Sequence, residues 1–201
     1  LPFRAIVVRE NDDGSNVVLL ADEMDEQHPL MVIESPVSVP RDAASIASAL
    51  SVLLQHGSSI LIVDPFFDPY NSRYKSTLRE CLCIVKTQNP ATVCEIHYRY
   101  HPNAPLPADI KNNAKILFPG VIPDGMAIKL HCWKEKNGGS DFHARYLLTE
   151  KGGIALDAGF SAEGNHQTTD MHRMDAAFCR ERVAAFDKAA TVYELVEDVL
   201  L

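Results

Sequence analysis

A continuous apolar run from Ile60 to Val63, placed between two amphipathic helical patterns, constrains the fold of this chain most strongly. A short apolar run without polar alternation is typical of a strand that is covered on both faces. The helical pattern before it spans residues 42–56, with Asp42 as its N-terminal cap. After it, residues 72–85 repeat apolar side chains at helical spacing. This alternation predicts an α/β sheet flanked by helices.

Patterns along the rest of the chain predict further elements, and hairpins at both ends make the expected sheet mixed. Residues 3–8 and 16–21 predict a hairpin, because an Asn-Asp-Asp-Gly turn lies between them. Residues 162–173 predict a polar loop that is long enough to act as a lid. The other predicted strands cover residues 30–33, 92–100, 126–133, 143–149, 154–157 and 174–179. The other predicted helices cover residues 107–118 and 181–200.

Length and composition predict a single cytoplasmic domain. A chain of 201 residues with 46% hydrophobic side chains is sufficient for one core. It has no apolar run near the roughly 18–20 residues that span a bilayer, and no signal-peptide pattern. Its five cysteines form no CxxC pair, which favours a reducing compartment. Because the chain starts at Leu1 rather than Met, we expect residues 1–201 to be a domain cut from a longer polypeptide.

The formal net charge of −8 restricts the expected partners. Broad, non-specific binding to nucleic acid relies on a cationic surface, and this composition argues against it. A local basic pocket remains compatible with the same net charge.

The residues with the clearest chemical meaning lie between His143 and Ser161. Alternate residues of a strand project from one face, so His143 and Arg145 are expected to point together. An imidazole can attack phosphorus, while a fixed cation neutralises charge on the non-bridging oxygens. Either Glu150 or Asp157 is available to orient the imidazole.

The same stretch resembles the motif of the phospholipase D superfamily. That motif consists of His-x-Lys, four residues, Asp, and then a short strand and a Gly-Ser segment. In this chain, Arg145 stands in place of the Lys and Glu150 in place of the Asp. A predicted strand and Gly159-Phe160-Ser161 follow. The strand that ends at Asp64-Pro65 is also similar to a segment that family members place ahead of the motif.

The resemblance implies a phospholipase D-like fold and a metal-independent phosphodiesterase that needs no cofactor. It implies that His143 is the nucleophile, Arg145 the phosphate clamp and Glu150 the orienting acid. Ser161 would assist, and Gly159 and Ser161 would let the backbone approach phosphate oxygens closely. Family enzymes use two such motifs, and one is found here. A homodimer is expected to complete the site, with a missing region of the polypeptide as the alternative source of the second motif. The expected substrate is a phosphodiester, with nucleic acid favoured over lipid.

The departures from the family motif leave a second function open. A single motif with exchanges at Arg145 and Glu150 is compatible with a non-catalytic phospholipase D-like recognition domain of a larger protein. Such a domain would use the same pocket for phosphate, a lipid headgroup or a protein partner.

Two further groups of residues are candidates. His97, Arg99 and His101 alternate along one predicted strand, and we expect a solvated sheet edge, with a second phosphate-facing patch or a metal pair as alternatives. Asp64 lies at a strand end, where α/β proteins commonly build sites, and a metal-dependent nuclease would pair it with Glu95. The Lys that follows in such nucleases is absent, so no metal is expected.

Overall fold

The computed structural model describes residues 6–10, 18–25, 28–29, 35–88, 90–103 and 105–201. These residues fall into two compact units that divide between Ser35 and Pro36. In the first unit, β1 (Ile6–Val8) and β2 (Val18–Leu20) form a two-stranded parallel sheet.

The predicted N-terminal hairpin is therefore wrong, although both of its strands exist. Parallel strands cannot be joined by a tight turn, because the chain must cross back over the sheet. The turn expected at residues 11–14 and the strand expected at residues 30–33 lie outside the described residues.

The second unit is built on one eight-stranded mixed sheet, with the strand order β10-β6-β5-β4-β7-β8-β9-β3. The strands are β3 (Val37–Arg41), β4 (Ser59–Val63), β5 (Val93–Arg99), β6 (Ile128–Glu135), β7 (Tyr146–Thr149), β8 (Gly152–Leu156), β9 (Gly164–Arg173) and β10 (Tyr193–Leu200). Strands β4, β5 and β6 are parallel to one another, and the other pairs are antiparallel. The predicted mixed α/β sheet flanked by helices is confirmed.

Five helices pack with this sheet: α1 (Ala43–His56), α2 (Ser72–Gln88), α3 (Pro107–Asn112), α4 (Ala114–Leu117) and α5 (Ala176–Ala185). Asp42 caps α1 by accepting a hydrogen bond from the Ser45 N–H at 2.9 Å. None of the described helices combines the length and the apolar composition needed to cross a membrane.

Strand β4 is covered on both faces, as its apolar run predicted. Ile60 and Ile62 belong to a buried cluster that includes the apolar faces of α1 and α2. Leu61 and Val63 belong to a second buried cluster with Trp133. Because alternate residues of a strand project from opposite faces, these clusters lie on opposite sides of the sheet.

The structure corrects the C-terminal elements. Residues 162–173 contain β9 rather than a lid, because this segment pairs with both β8 and β3. Asp175 starts α5 by accepting hydrogen bonds from the N–H groups of Ala177 and Phe178, where a strand was expected. The long helix expected over residues 181–200 is split, because Tyr193–Leu200 pairs with β6 as an antiparallel edge strand.

Candidate functional site

The end of β4 and the start of β7 meet at one edge of the sheet, because these neighbouring strands are antiparallel. Phe66, just after β4, lies in edge-to-face contact with His143, with 5.3 Å between the ring centroids. The guanidinium carbons of Arg145 and Arg99 lie 4.8 Å and 5.4 Å from the centroid of the Phe66 ring. The structure thus brings together five residues, which we call the Phe66 corner: Asp64, Phe66, Arg99, His143 and Arg145.

Asp64 connects two loops of this corner. Its side chain is buried, and its Oδ1 accepts a hydrogen bond from the Phe66 N–H at 2.9 Å. Its Oδ2 accepts a second hydrogen bond from the Phe160 N–H at 3.0 Å. Burial raises the pKa of the Asp64 carboxyl, while these two donors and the nearby Arg145 charge act in the opposite direction. The carboxyl group therefore ties the end of β4 to the loop between β8 and β9.

Gly159 is required beside Asp64 for two reasons. Its φ of +72° lies in the left-handed region that side chains disfavour. A Cβ atom at this position would also lie 2.5 Å from Oδ2 of Asp64 and 3.2 Å from Cγ of Arg145. The sequence predicted that Gly159 lets the backbone approach a phosphate. In the structure, Gly159 makes room for the Asp64 carboxylate.

Arg145 and His143 differ in how the surrounding protein holds their side chains. Arg145 is half-buried, and its Nη1 donates a hydrogen bond to the Asp157 carbonyl at 3.1 Å. His143 is exposed, and within the described part of the chain no carboxylate forms a hydrogen bond or an ion pair with its ring. The Asp157 carboxylate instead lies 3.5 Å from Nε2 of His172. The corner therefore presents a pre-oriented cation beside an accessible imidazole.

Glu150 does not take the place that the sequence predicted. It lies beyond the opposite end of β7, where its carboxylate accepts hydrogen bonds from the Ser58 N–H at 3.0 Å and the Ser59 N–H at 3.2 Å. Partial burial raises the pKa of Glu150, but these donors together lower it below its ordinary value. The whole of β7 separates Glu150 from His143, so Glu150 cannot orient the imidazole in this geometry.

Ser161 is also placed differently from the prediction. It is buried, and its hydroxyl donates to Oε1 of Glu163 at 3.3 Å. Its carbonyl accepts a hydrogen bond from Nη2 of Arg41 at 3.1 Å. Glu163 also pairs with Arg73, with 2.5 Å between Oε2 and Nη1. Sequence reasoning missed Arg41 and Arg73, because they come from β3 and the first turn of α2 and share no motif with Ser161.

The structure separates the three residues expected to share a face of β5. Arg99 belongs to the Phe66 corner, and His101 is exposed beyond the strand. His97 is fully buried against His131, with 4.6 Å between the stacked rings. The predicted solvated edge is wrong because β5 lies inside the sheet, between β4 and β6.

Glu95, His97 and His131 form a polar cluster of metal-ligating residue types. Oε2 of Glu95 lies 3.3 Å from Nε2 of both imidazoles, and contacts with His131 and His97 lower the pKa of Glu95. Trp133 Nε1–H, however, donates to Nδ1 of His97 at 2.9 Å. Because an indole N–H only donates, neutral His97 must carry its proton on Nε2, which faces Glu95.

This tautomer does not suit metal binding. An ion held by Nε2 of His97 would displace that proton and break the bond with Trp133, whereas metal-bound histidines normally donate from their other nitrogen. Glu95 is also displaced from Asp64 along the strand direction. It pairs with Leu61 of β4, which comes three residues before Asp64. The structure therefore does not bring together the Asp64 and Glu95 pair of a metal-dependent nuclease.

Comparisons with known proteins assign no family to the chain. No protein-family model and no curated protein matches it. Among solved structures, it is similar to TrmBL2, an archaeal chromatin protein described as showing a novel mode of DNA binding, with 11% identity and a TM-score of 0.39. The similarity covers 88% of this chain and 59% of that chain. A TM-score this low assigns neither a fold nor a function.

Buried His97 gives the stability of the fold a defined pH dependence. Burial lowers the pKa of His97 to about 4, whereas an unfolded histidine titrates near 6.5. At pH values between these two pKa values, His97 is protonated in the unfolded chain but neutral in the folded chain. The free energy of unfolding therefore decreases as the pH falls, by up to about 3 kcal/mol. His97→Gln keeps an acceptor for Trp133 and does not titrate. Urea unfolding at about pH 7 and about pH 5 should show a smaller pH-dependent loss in this variant than in the parent. Equal losses would contradict this account.

Gly159→Ala should destabilise the chain more than Gly120→Ala. Both glycines have positive φ, but a Cβ at Gly120 would meet no atom within 4 Å. We expect a loss of about 1 kcal/mol for Gly120→Ala from backbone strain and of roughly 3 kcal/mol for Gly159→Ala, which also displaces Asp64. Urea unfolding measures both losses, and similar values would show that Asp64 does not depend on the close approach.

Proposed function

We propose that the Phe66 corner binds the phosphate of a phosphodiester and that the chain is a metal-independent phosphodiesterase of phospholipase D-like type. One observation carries this proposal: an exposed imidazole, His143, and two guanidinium groups, Arg145 and Arg99, converge on one aromatic ring. An accessible nucleophile beside fixed cations is the arrangement that phosphoryl transfer needs.

Both cations are held in place before any ligand binds. Arg145 is anchored by the Asp157 carbonyl, and Arg99 donates to Glu135 with 3.1 Å between Nη1 and Oε1. A guanidinium group has five N–H donors, so each side chain keeps donors for phosphate oxygens. Anchoring reduces the entropy that is lost when a ligand binds, which supports Arg145 in the role of a phosphate clamp.

The proposed reaction has two steps. An imidazole nitrogen of His143 attacks phosphorus, and the bond to the leaving oxygen breaks, while Arg145 stabilises the charge on the non-bridging oxygens. A general acid gives the leaving oxygen a proton. Water then attacks the phosphohistidine, breaks the P–N bond and releases His143. In this proposal, a second copy of the chain supplies the acid from its own His143, which is exposed and therefore accessible across a dimer interface.

The five cysteines support the proposed cytoplasmic location. All five are free, and Cys83 is the exposed one. Burial raises the pKa of Cys81 and Cys94 to about 12, so these thiols are poorly reactive and behave as small apolar side chains.

A second candidate function is a non-catalytic recognition domain within a larger protein. It is favoured by the position of Glu150 at the far end of β7, and by an imidazole that no carboxylate of the described residues orients. Such a domain would bind phosphate through Arg145 and Arg99 without cleaving the ester.

Turnover of bis-p-nitrophenyl phosphate in the presence of EDTA tests the proposal. The parent should turn over the ester, and His143→Ala should reduce kcat by roughly a thousand-fold or more, because the nucleophile is removed. His56→Ala is the matched control, since His56 is also exposed but ends α1 near the start of β4. This control should keep the rate of the parent.

Phosphate binding separates the two candidate functions if the folded parent shows no turnover. Binding that is weakened by Arg145→Gln, in the absence of turnover, would support the recognition domain and overturn the phosphodiesterase. A folded parent that neither binds phosphate nor cleaves the ester would overturn both.

A further inference from the structure

We infer that the phosphodiester held at the Phe66 corner belongs to a nucleotide whose base occupies the cavity next to Phe66. This inference rests on the proposed function and names its substrate class. The cavity has a volume of about 370 Å³, which falls in the range of roughly 300–1,000 Å³ that is typical of small-molecule sites. Phe66 lines this cavity and also contacts the cations of the corner, so the two sites share this residue.

Aromatic side chains form part of the cavity lining. They come from the loop between β4 and α2 and from the loop that follows β5. Tyr70 is 51% exposed, whereas the Phe66 ring, which is 38% exposed, already contacts His143, Arg145 and Arg99. Stacking on exposed aromatic rings is how proteins commonly hold nucleobases, and every base has a π-face. Tyr70 therefore offers a flat surface on which a heterocyclic base can stack.

The same cavity also carries hydrogen-bonding groups of both kinds. Oδ1 of Asp68 accepts the Tyr70 N–H at 2.9 Å, which leaves Oδ2 as an acceptor. Nδ1 of His101 accepts the Asn103 N–H at 3.2 Å, so a neutral His101 ring carries a donor on Nε2. The side-chain amide of Asn103 supplies both a donor and an acceptor. The edge of a nucleobase presents the complementary mixture of donors and acceptors.

The distribution of charge favours one nucleotide unit at this place. The chain has a formal net charge of −8, which opposes general association with a polyanion. Arg145 and Arg99 both contact the Phe66 ring, but Arg99 is also ion-paired with Glu135, so Arg145 is the cation that a phosphate beside the cavity would meet. Base and phosphate of one nucleotide are separated by the sugar, and Phe66 belongs both to the cavity lining and to the corner that holds Arg145.

Isothermal titration with a thymidine dinucleotide tests this inference. A phosphorothioate linkage keeps the negative charge and resists cleavage, so binding is measured without turnover. Tyr70→Leu removes the stacking ring but keeps an apolar side chain, and it should raise Kd by roughly tenfold. Arg145→Gln should raise Kd by a similar factor. Phe178→Leu removes an exposed ring on α5, outside the site, and should leave Kd unchanged.

The variants distinguish the failure of this inference from the failure of the proposed function. If Arg145→Gln weakens binding but Tyr70→Leu does not, the corner binds phosphate and the nucleotide inference is wrong. If Arg145→Gln has no effect, or if the folded parent does not bind, the proposed function fails and the inference fails with it.

A parallel titration with a phosphorothioate thymidine hexanucleotide shows whether the bound nucleotide belongs to a single strand or is a small, separate molecule. A per-site affinity well above that of the dinucleotide indicates that the nucleotide comes from a single strand, and an equal per-site affinity indicates a small nucleotide. Both results support a nucleotide at the cavity, provided that Tyr70→Leu weakens binding.

Discussion

The candidate site depends on the buried carboxyl group of Asp64. It accepts hydrogen bonds from the N–H groups of Phe66 and Phe160, and so it holds the loop after β4 against the loop after β8. Burying a carboxyl group is costly unless it is hydrogen-bonded, and two backbone donors offset that cost. Gly159 leaves the space that the carboxyl group occupies. With both loops held, the Phe66 ring is fixed beside His143 and Arg145, and the chemistry proposed for this corner follows from that placement.

The sheet brings residues that are distant in the sequence to the same edge. Because β7 runs antiparallel to β4, His143 and Arg145, which precede β7, lie at the same end of the sheet as Asp64 and Phe66, which follow β4. Arg99 reaches the same corner because β5 is parallel to β4 and ends beside it. Interior strands also explain why His97 is buried, and the Trp133 hydrogen bond then determines which of its nitrogens carries the proton. Strand order therefore decides which of the polar side chains become a site and which become part of the core.

Local patterns predicted the central elements well. The apolar run of β4, the capped helix α1 and the helical spacing of α2 follow from periodicity and capping alone, and the structure confirms them. The parallel pairing of β1 and β2 and the edge strand β10 were not predicted, because pairing depends on contacts between distant residues. The segment Tyr193–Leu200 illustrates this, since its mixed polar and apolar pattern is compatible with a helix until β6 is available as a partner.

Two-residue spacing predicted that His143 and Arg145 share one face of a strand. Both residues precede the first residue of β7, and each of them contacts the Phe66 ring. Spacing could not show that Glu150 lies at the other end of this strand, or that Glu163 joins Arg41 to Arg73. These contacts come from loops and strand ends, where the direction of the chain is set by tertiary packing rather than by local sequence. The family resemblance of residues 143–161 remains a prediction.

A crystal structure of the chain with bound orthovanadate, an analogue of phosphate in transfer reactions, tests the central claim most directly. We expect the vanadium to lie beside the His143 ring, with vanadate oxygens accepting hydrogen bonds from Arg145 and with both hydrogen bonds to Asp64 preserved. Vanadate bound elsewhere, or a Phe66 corner that remains assembled without binding vanadate, would contradict the account.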